Sequence, residues 1–327
     1  MMSKVNGMLV ASAILALAAG GCNVKPKVPT VENKTVEVVA VDASDAAEVG
    51  AVTELLDAQA SYKQALEVLR AYYVQTGAYF KQQWSEREID NLRKARPWEF
   101  VGVQAPPPPA SQSIEDVTEA ALAEQVLSAR ARWKAAVAAL EALYRARGSG
   151  LKQALVANIR ARFDPVHEYD YIVSAEVPPP TLRPTEVIPQ ADALYEKALD
   201  LHKRGKPLPD ITSYPKQRQA LGLFLQLVRE HPTSTKISNS AYYIAEIYKE
   251  YFNENQRSVI WYERSWQWDQ DITLPARSQA AYIYDIRLAQ YGKALELYNE
   301  SIKHEQTYPN RIRYSHQRIG ELTAPKE

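Results

Sequence analysis

From residue 51 onward the apolar positions recur at helical spacing. Leu55, Tyr62, Leu66, Leu69 and Tyr73 stand three, four or seven residues apart, as do Val126, Trp133, Val137, Leu140 and Tyr144. Such spacing puts each set on one face of an α-helix. Gly77 and Gly148 follow where each stripe stops, the place of a left-handed residue that ends a helix. A second helix is expected after each, over about 78–95 and 150–163, so that each segment folds as an αα-hairpin. Ser113-Ile-Glu-Asp116 reads as a capping box opening the second hairpin. Both hairpins run into period-two alternation, Trp98-Glu-Phe-Val-Gly-Val103 and Tyr169-Asp-Tyr-Ile-Val173. Alternation of this kind predicts short extended segments along the helices, pairing with each other.

The two hairpins are copies of one unit. A shift of 71 residues superposes Tyr62-Lys63 on Trp133-Lys134, Ala65 on Ala136, Leu69 on Leu140, Tyr73 on Tyr144 and Gly77 on Gly148. It also superposes Lys81 on Lys152, Trp98 on Tyr169 and Phe100 on Tyr171. Proline clusters at 106–109 and 178–180 close each copy and read as stiff connectors. The expected organisation is a leader at 1–21 and a flexible tether at 22–50, then a hairpin unit at 51–105 and a linker at 106–112. A second hairpin unit at 113–176, a linker at 177–189 and a repeat region at 190–327 follow.

The last region has a different period, 36 residues. Ala245 matches Ala281, Tyr248 matches Tyr284, Ser258 matches Ala294, Tyr262 matches Tyr298 and Ser265 matches Ser301. A small residue followed three positions on by an aromatic lets one helix approach its neighbour closely. This pattern resembles the tetratricopeptide repeat (TPR), with an inter-helix loop longer by about one residue. A degraded earlier copy keeps Ala220, Phe224, Leu227 and Pro232 but carries an insertion at 205–215. A final helix near 310–322, bearing Arg311, Arg313, His316, Gln317 and Arg318, reads as a polar terminal cap. The expected fold is therefore all-α: two duplicated αα-hairpin units with short extended segments, then a TPR-like α-solenoid of helical-hairpin repeats. By the same resemblance, the groove-facing positions fall on Asn239, Tyr242, Glu246, Lys249, Ser278, Tyr282 and Asp285. Tyr offers large contact area at low entropic cost and Asn bonds a peptide backbone, so the resemblance implies a peptide or protein partner. Tyr248, Tyr262, Tyr284 and Tyr298 fall instead on packing positions.

Composition supports helices, since the chain has only 12 Gly in 327 residues. A net charge of zero, with 39 basic and 39 acidic residues, excludes a general nucleic-acid binder. The single cysteine excludes a disulfide framework and a cysteine zinc site. Its setting is informative. Lys4, an apolar run from Met8 to Ala19 too short to span a bilayer, and Ala19-Gly20-Gly21-Cys22 form a leader that resembles a bacterial lipobox. That resemblance implies cleavage before Cys22, a diacylglycerol on its sulfur and a further acyl chain such as palmitate on its amine. Asn23 in place of Asp then favours the outer membrane, facing the periplasm. Taken together, the chain resembles the TPR lipoproteins of bacterial envelopes that act in outer-membrane assembly and cell-envelope coordination.

No catalytic site, cofactor site or metal site is expected. The five histidines lack zinc-hydrolase spacing, and no phosphate-binding glycine loop or nucleophile elbow occurs. His167-Glu168-Tyr169-Asp170 is a poor ligand set because adjacent residues of an extended segment face opposite ways. Arg130, Arg132, Lys134, Arg145, Arg147, Lys152, Arg160 and Arg162 face one acid in their own segment, Glu141. This basic hairpin supports an alternative function, a structural link from membrane to anionic cell wall, unless acids elsewhere offset it. An envelope hydrolase is the least supported class. The leading expectation is a membrane-anchored scaffold in the cell envelope that binds a protein or peptide partner and acts on no nucleic acid or small-molecule substrate.

Overall fold

The computed structural model describes residues 38–324, apart from residues 97, 105, 108–113, 116, 173–175 and 208–210. The leader, Cys22, most of the expected tether, and Ser113 and Asp116 of the expected capping box lie outside the described residues. The described chain is mostly helical, with eleven α-helices and one small sheet among the described residues. No helix among them is long and apolar enough to cross a membrane.

Folding begins earlier than residue 51. Strand β1 (Val38–Ala40) precedes α1 (Ala46–Thr76), whose first turn is capped by Asp45 accepting from Ala47 N and Glu48 N. Residues 38–50 thus belong to the folded unit and not to the tether. A three-residue strand that buries only Val39 leaves no periodic signal in the sequence. After α2 (Tyr79–Ala95), strand β2 (Glu99–Val101) pairs with β1 in parallel, Val39 opposite Phe100. This corrects the expected pairing between the two alternating segments. Parallel strands need a crossover, and here the α1–α2 hairpin supplies it. Gly102 follows at φ +92°, and a Cβ there would lie 2.9 Å from the Val41 carbonyl oxygen, so the close of this sheet requires glycine.

The second copy comprises α3 (Glu119–Ala146) and α4 (Gly150–Arg162). Thr118, and not Ser113, caps α3, its hydroxyl accepting from Ala121 N at 3.2 Å. Gly77 and Gly148 both adopt the left-handed conformation that their positions predict. The apolar stripe of α1 packs against that of α3, and the side chains from Val52 to Tyr73 and from Leu122 to Tyr144 that form the two stripes are almost fully buried. The duplicated residues meet their own counterparts. Tyr62 packs on Trp133 with ring centroids 5.9 Å apart. Tyr144 Oη donates to Glu48 Oε1 at 2.8 Å, where Lys152 Nζ also lies at 2.6 Å. Tyr73 Oη donates to Glu119 Oε1 at 2.9 Å, joined there by Lys81. The 71-residue shift converts one clasp into the other, the reciprocity that an isologous interface shows between two subunits.

The C-terminal region contains α5 (Pro189–Arg204), α6 (Tyr214–Glu230), α7 (Ile237–Phe252) and α8 (Asn255–Trp268). Beyond these, α9 (Ala276–Tyr282) continues as a π-helical turn over Ile283–Arg287, followed by α10 (Tyr291–His304) and α11 (Pro309–Thr323). Prolines occupy the first turns of α5, α6 and α11, where a missing N–H costs nothing. From α5 onward each helix packs on the next in chain order. The small positions Ala198, Ala220, Ala245, Ala281, Ala294 and Ser301 are buried at these contacts, as are Tyr248, Tyr262, Tyr284 and Tyr298. Small side chains let the axes approach, and the tyrosine rings fill the volume beside them.

Charged groups tie the hairpins to this region. Glu254, in the α7–α8 turn, accepts from Arg87 at 2.6 Å and from Tyr169 Oη at 2.7 Å. Arg257 donates to Glu176 and to the Val166 carbonyl at 2.7 Å, with its guanidinium over the rings of Tyr248 and Tyr169. Arg218 donates to both oxygens of Asp164.

Candidate functional site

Three of the seven expected groove residues come together. Lys249 from α7 and Ser278 and Tyr282 from α9 line a cleft of about 580 Å³ that α11 closes with Asn310, Arg311 and Tyr314. Glu250, Gln279 and Arg287 complete its wall. Lys249 Nζ donates to Gln279 Oε1 at 2.7 Å and pairs with Glu250 at the same distance. Tyr282 stands against Tyr314 with ring centroids 6.3 Å apart, so one wall of the cleft is aromatic. Arg287 and Arg311 make no ion pair among the described residues, which gives the cleft an excess of positive charge over the single acid Glu250.

The other four lie elsewhere. Tyr242 is 5% exposed, its ring 5.4 Å from both Tyr243 and Tyr262, and burial pushes its hydroxyl pKa up. It is a core residue, not a groove residue. Asn239 is half-buried beside Tyr195, and half-buried Glu246 faces the tyrosine cluster of α7. Neither lines the cleft. Asp285 is buried and accepts from Tyr298 Oη at 3.0 Å and from two nitrogens of Arg318 at 2.6 and 2.8 Å. It locks α11 onto α10 and faces away from the groove. Asp285 lies within a π-helical turn, where Leu288 N reaches back to Ile283 O, and a turn of that pitch departs from regular α-helical phase. Asp285 is buried there, and Arg287 at the end of the same turn lines the cleft. Even Ser278 shows mainly its edge, since its hydroxyl donates to the Pro275 carbonyl.

Sequence reasoning missed Asn310, Arg311 and Tyr314 because α11 was read as a cap. The signal lay in its basic residues: a helix that lies beside α9 shows them to the groove as well as to solvent.

Seven of the eight cations of the basic hairpin are ion-paired within the fold, and the eighth, Arg162, donates to Asn158 Oδ1 at 3.3 Å. Arg130, 7% exposed, pairs with Glu88 at 3.0 Å and Asp170 at 3.1 Å, and Arg132 with Glu54 and Asp57. Lys134 pairs with Glu168, Arg145 and Arg160 with Glu141, Arg147 with Asp45 and Lys152 with Glu48. The acids come largely from the first hairpin, which the local sequence does not show. Glu168 and Asp170 are thereby engaged by cations, and no group of acids and histidines suited to a metal occurs among the described residues.

No protein family, curated protein or solved structure matches the chain at a significant level.

Proposed function

We propose that the chain is a lipid-anchored TPR-type scaffold of the bacterial cell envelope, whose cleft between α7, α9 and α11 binds an extended acidic segment of a partner protein. The observation that carries this reading is the cleft itself. It is an open trough with an aromatic wall, side-chain amides to bond a backbone, and two arginines whose charge no acid of the described chain takes up. A carboxylate-bearing peptide supplies the missing charge, and guanidinium groups bind carboxylates through paired N–H donors. The succession of helical hairpins with small and aromatic residues at their contacts supports the repeat reading. The role is presentation without catalysis: an acylated Cys22 fixes the protein to the outer membrane on its periplasmic side, the segment between Cys22 and the first strand sets reach, and the groove captures the partner. The pairing of the basic hairpin removes the feature that favoured a cell-wall link through it.

The test reverses the groove charge. R287E with R311E is expected to keep the helical circular dichroism and to lose at least tenfold in affinity for a fluorescent Glu/Asp-rich peptide, together with the partner that co-purifies from cells. Unchanged peptide binding and an unchanged set of partners overturn the reading. Tyr242→Ala is not a groove test, because removing a buried ring destabilises the stack directly.

A further inference from the structure

Three arginines are buried among the described residues, and two have acids beside them. Arg130 meets Glu88 and Asp170, and Arg257 meets Glu176. Arg277, 5% exposed, makes no ion pair among the described residues. Its Nη2 donates to the Gln270 carbonyl at 3.2 Å, its guanidinium lies 5.7 Å from the Trp266 ring centroid, and its Nη1 has no partner. A buried guanidinium without a counter-charge is costly, and native chains rarely keep one idle.

The acids whose charge reaches Arg277, namely Glu305, Glu300, Asp271 and Asp269, form no ion pair with it, and the acids that border its cleft have other partners or stand apart from it. Glu305 accepts from Arg277 N and Ser278 N and so caps the start of α9. Glu300 pairs with Lys303 and His304, and Glu263 accepts from Tyr284 Oη at 2.7 Å. Burial therefore outweighs their attraction and lowers the Arg277 pKa below its usual value. The side chain opens onto a cleft of about 570 Å³ between α8, α9 and α10, which shares no lining residue with the groove. Lys293 adds a second cation there, its Nζ 5.0 Å from the Tyr284 ring centroid, Glu263, Glu296 and Glu300 border the cleft as well, and Leu297 and Trp266 give it an apolar part.

We propose that this cleft is a second binding site, for a ligand that carries a carboxylate or phosphate to Arg277 Nη1 and lays a flat or apolar body along Trp266 and Leu297. The volume exceeds that of a bare anion and suits a small molecule or a single side chain with its flanking backbone. The anion completes the guanidinium fork, and its charge replaces the counter-ion that the chain lacks.

The test titrates the full chain with sodium phosphate and, separately, sodium succinate, against sodium chloride at matched ionic strength. Thermal midpoint and tryptophan emission are the readouts. A saturable rise in midpoint with a change in emission is expected for one or both anions, and which of them acts identifies the chemistry. W266F is expected to lose the emission change and keep the rise in midpoint. R277Q is expected to lose both, R277K to weaken binding about tenfold or more because an ammonium has no fork, and R313E, at an exposed arginine that lines neither cleft, to respond as the parent does. Responses that merely follow sodium chloride, or an R277Q or R277K titration that superposes on the parent, overturn the proposal. R277K and the parent titration decide the matter even where R277Q fails to fold.

Discussion

Glu88 has no exposed surface, yet it carries the centre of the hairpin core. It accepts from Tyr62, from Arg130 at 3.0 Å and from Tyr171 Oη at 2.7 Å, while burial pushes its carboxyl pKa up against the pull of Arg130. Tyr171 pays in backbone strain to reach it, at φ +60°, a conformation rare for an aromatic residue. Glu88→Ala leaves two hydroxyls unpaired in the core and Arg130 with Asp170 and the Tyr169 carbonyl as its remaining partners, and is expected to cost about 3 kcal/mol, read from urea unfolding. Glu48 behaves oppositely. Burial raises its pKa, but donation from Lys152 and Tyr144 prevails and holds it below the ordinary value. The ionised form is thus the stabilising one: its contribution is complete above the glutamate pKa of the unfolded chain and is lost as pH falls through the lower, folded value. Glu48→Gln is expected to lower stability by about 1–3 kcal/mol at neutral pH. That gap should close as thermal unfolding is followed below pH 4.

At the scale of elements, local chemistry and tertiary contact divide the work. Asp45, Thr118, Gly77 and Gly148 start and stop the long helices by local hydrogen bonding and backbone conformation, and all four are residue types favoured at such ends. The start of α9 has no such local cap. Glu305, at the end of α10, does the work from 28 positions away. The two-stranded sheet is likewise non-local, with β1 held to β2 across the whole first hairpin. Gly102→Ala should break that contact, since the added methyl meets the Val41 carbonyl and the left-handed backbone disfavours any side chain. The expected loss is about 1–3 kcal/mol, with faster hydrogen exchange at Val41 N, which bonds Val101 O, and no comparable change in α7 to α11.

For the whole molecule, the reciprocal clasps explain how a duplicated hairpin folds as one body. Each copy leaves an apolar stripe that only the other covers, and each glutamate is satisfied by the other copy's Tyr and Lys. Charge at buried Glu254 and Arg257 and at half-buried Asp164 then joins this body to the later helices with more directionality than apolar contact provides. The proposed anchor acts at this scale too. Cys22→Ser is expected to abolish fatty-acid labelling and to move the chain from the membrane to the soluble fraction, whereas continued pelleting with membranes would sink the anchor. Of the groove, Lys249, Ser278 and Tyr282 were legible because small and aromatic residues at a 36-residue period locate the facing helices. Tyr242 and Asp285 were misplaced because helical phase alone does not reveal a π-turn or a neighbouring tyrosine cluster.

The sequence by itself determined what depends on near neighbours: the helical stripes, their glycine stops, the matching of the two hairpins and the packing tyrosines. Only the tertiary structure decided what depends on residues far apart in the chain. It paired much of the basic hairpin with the first copy's acids, set Asp285 against Arg318, brought α11 to the cleft and left Arg277 without an ion pair. The physical reason is that periodicity reports which face of an element is apolar, whereas the partner of a buried charge is set by how those faces meet.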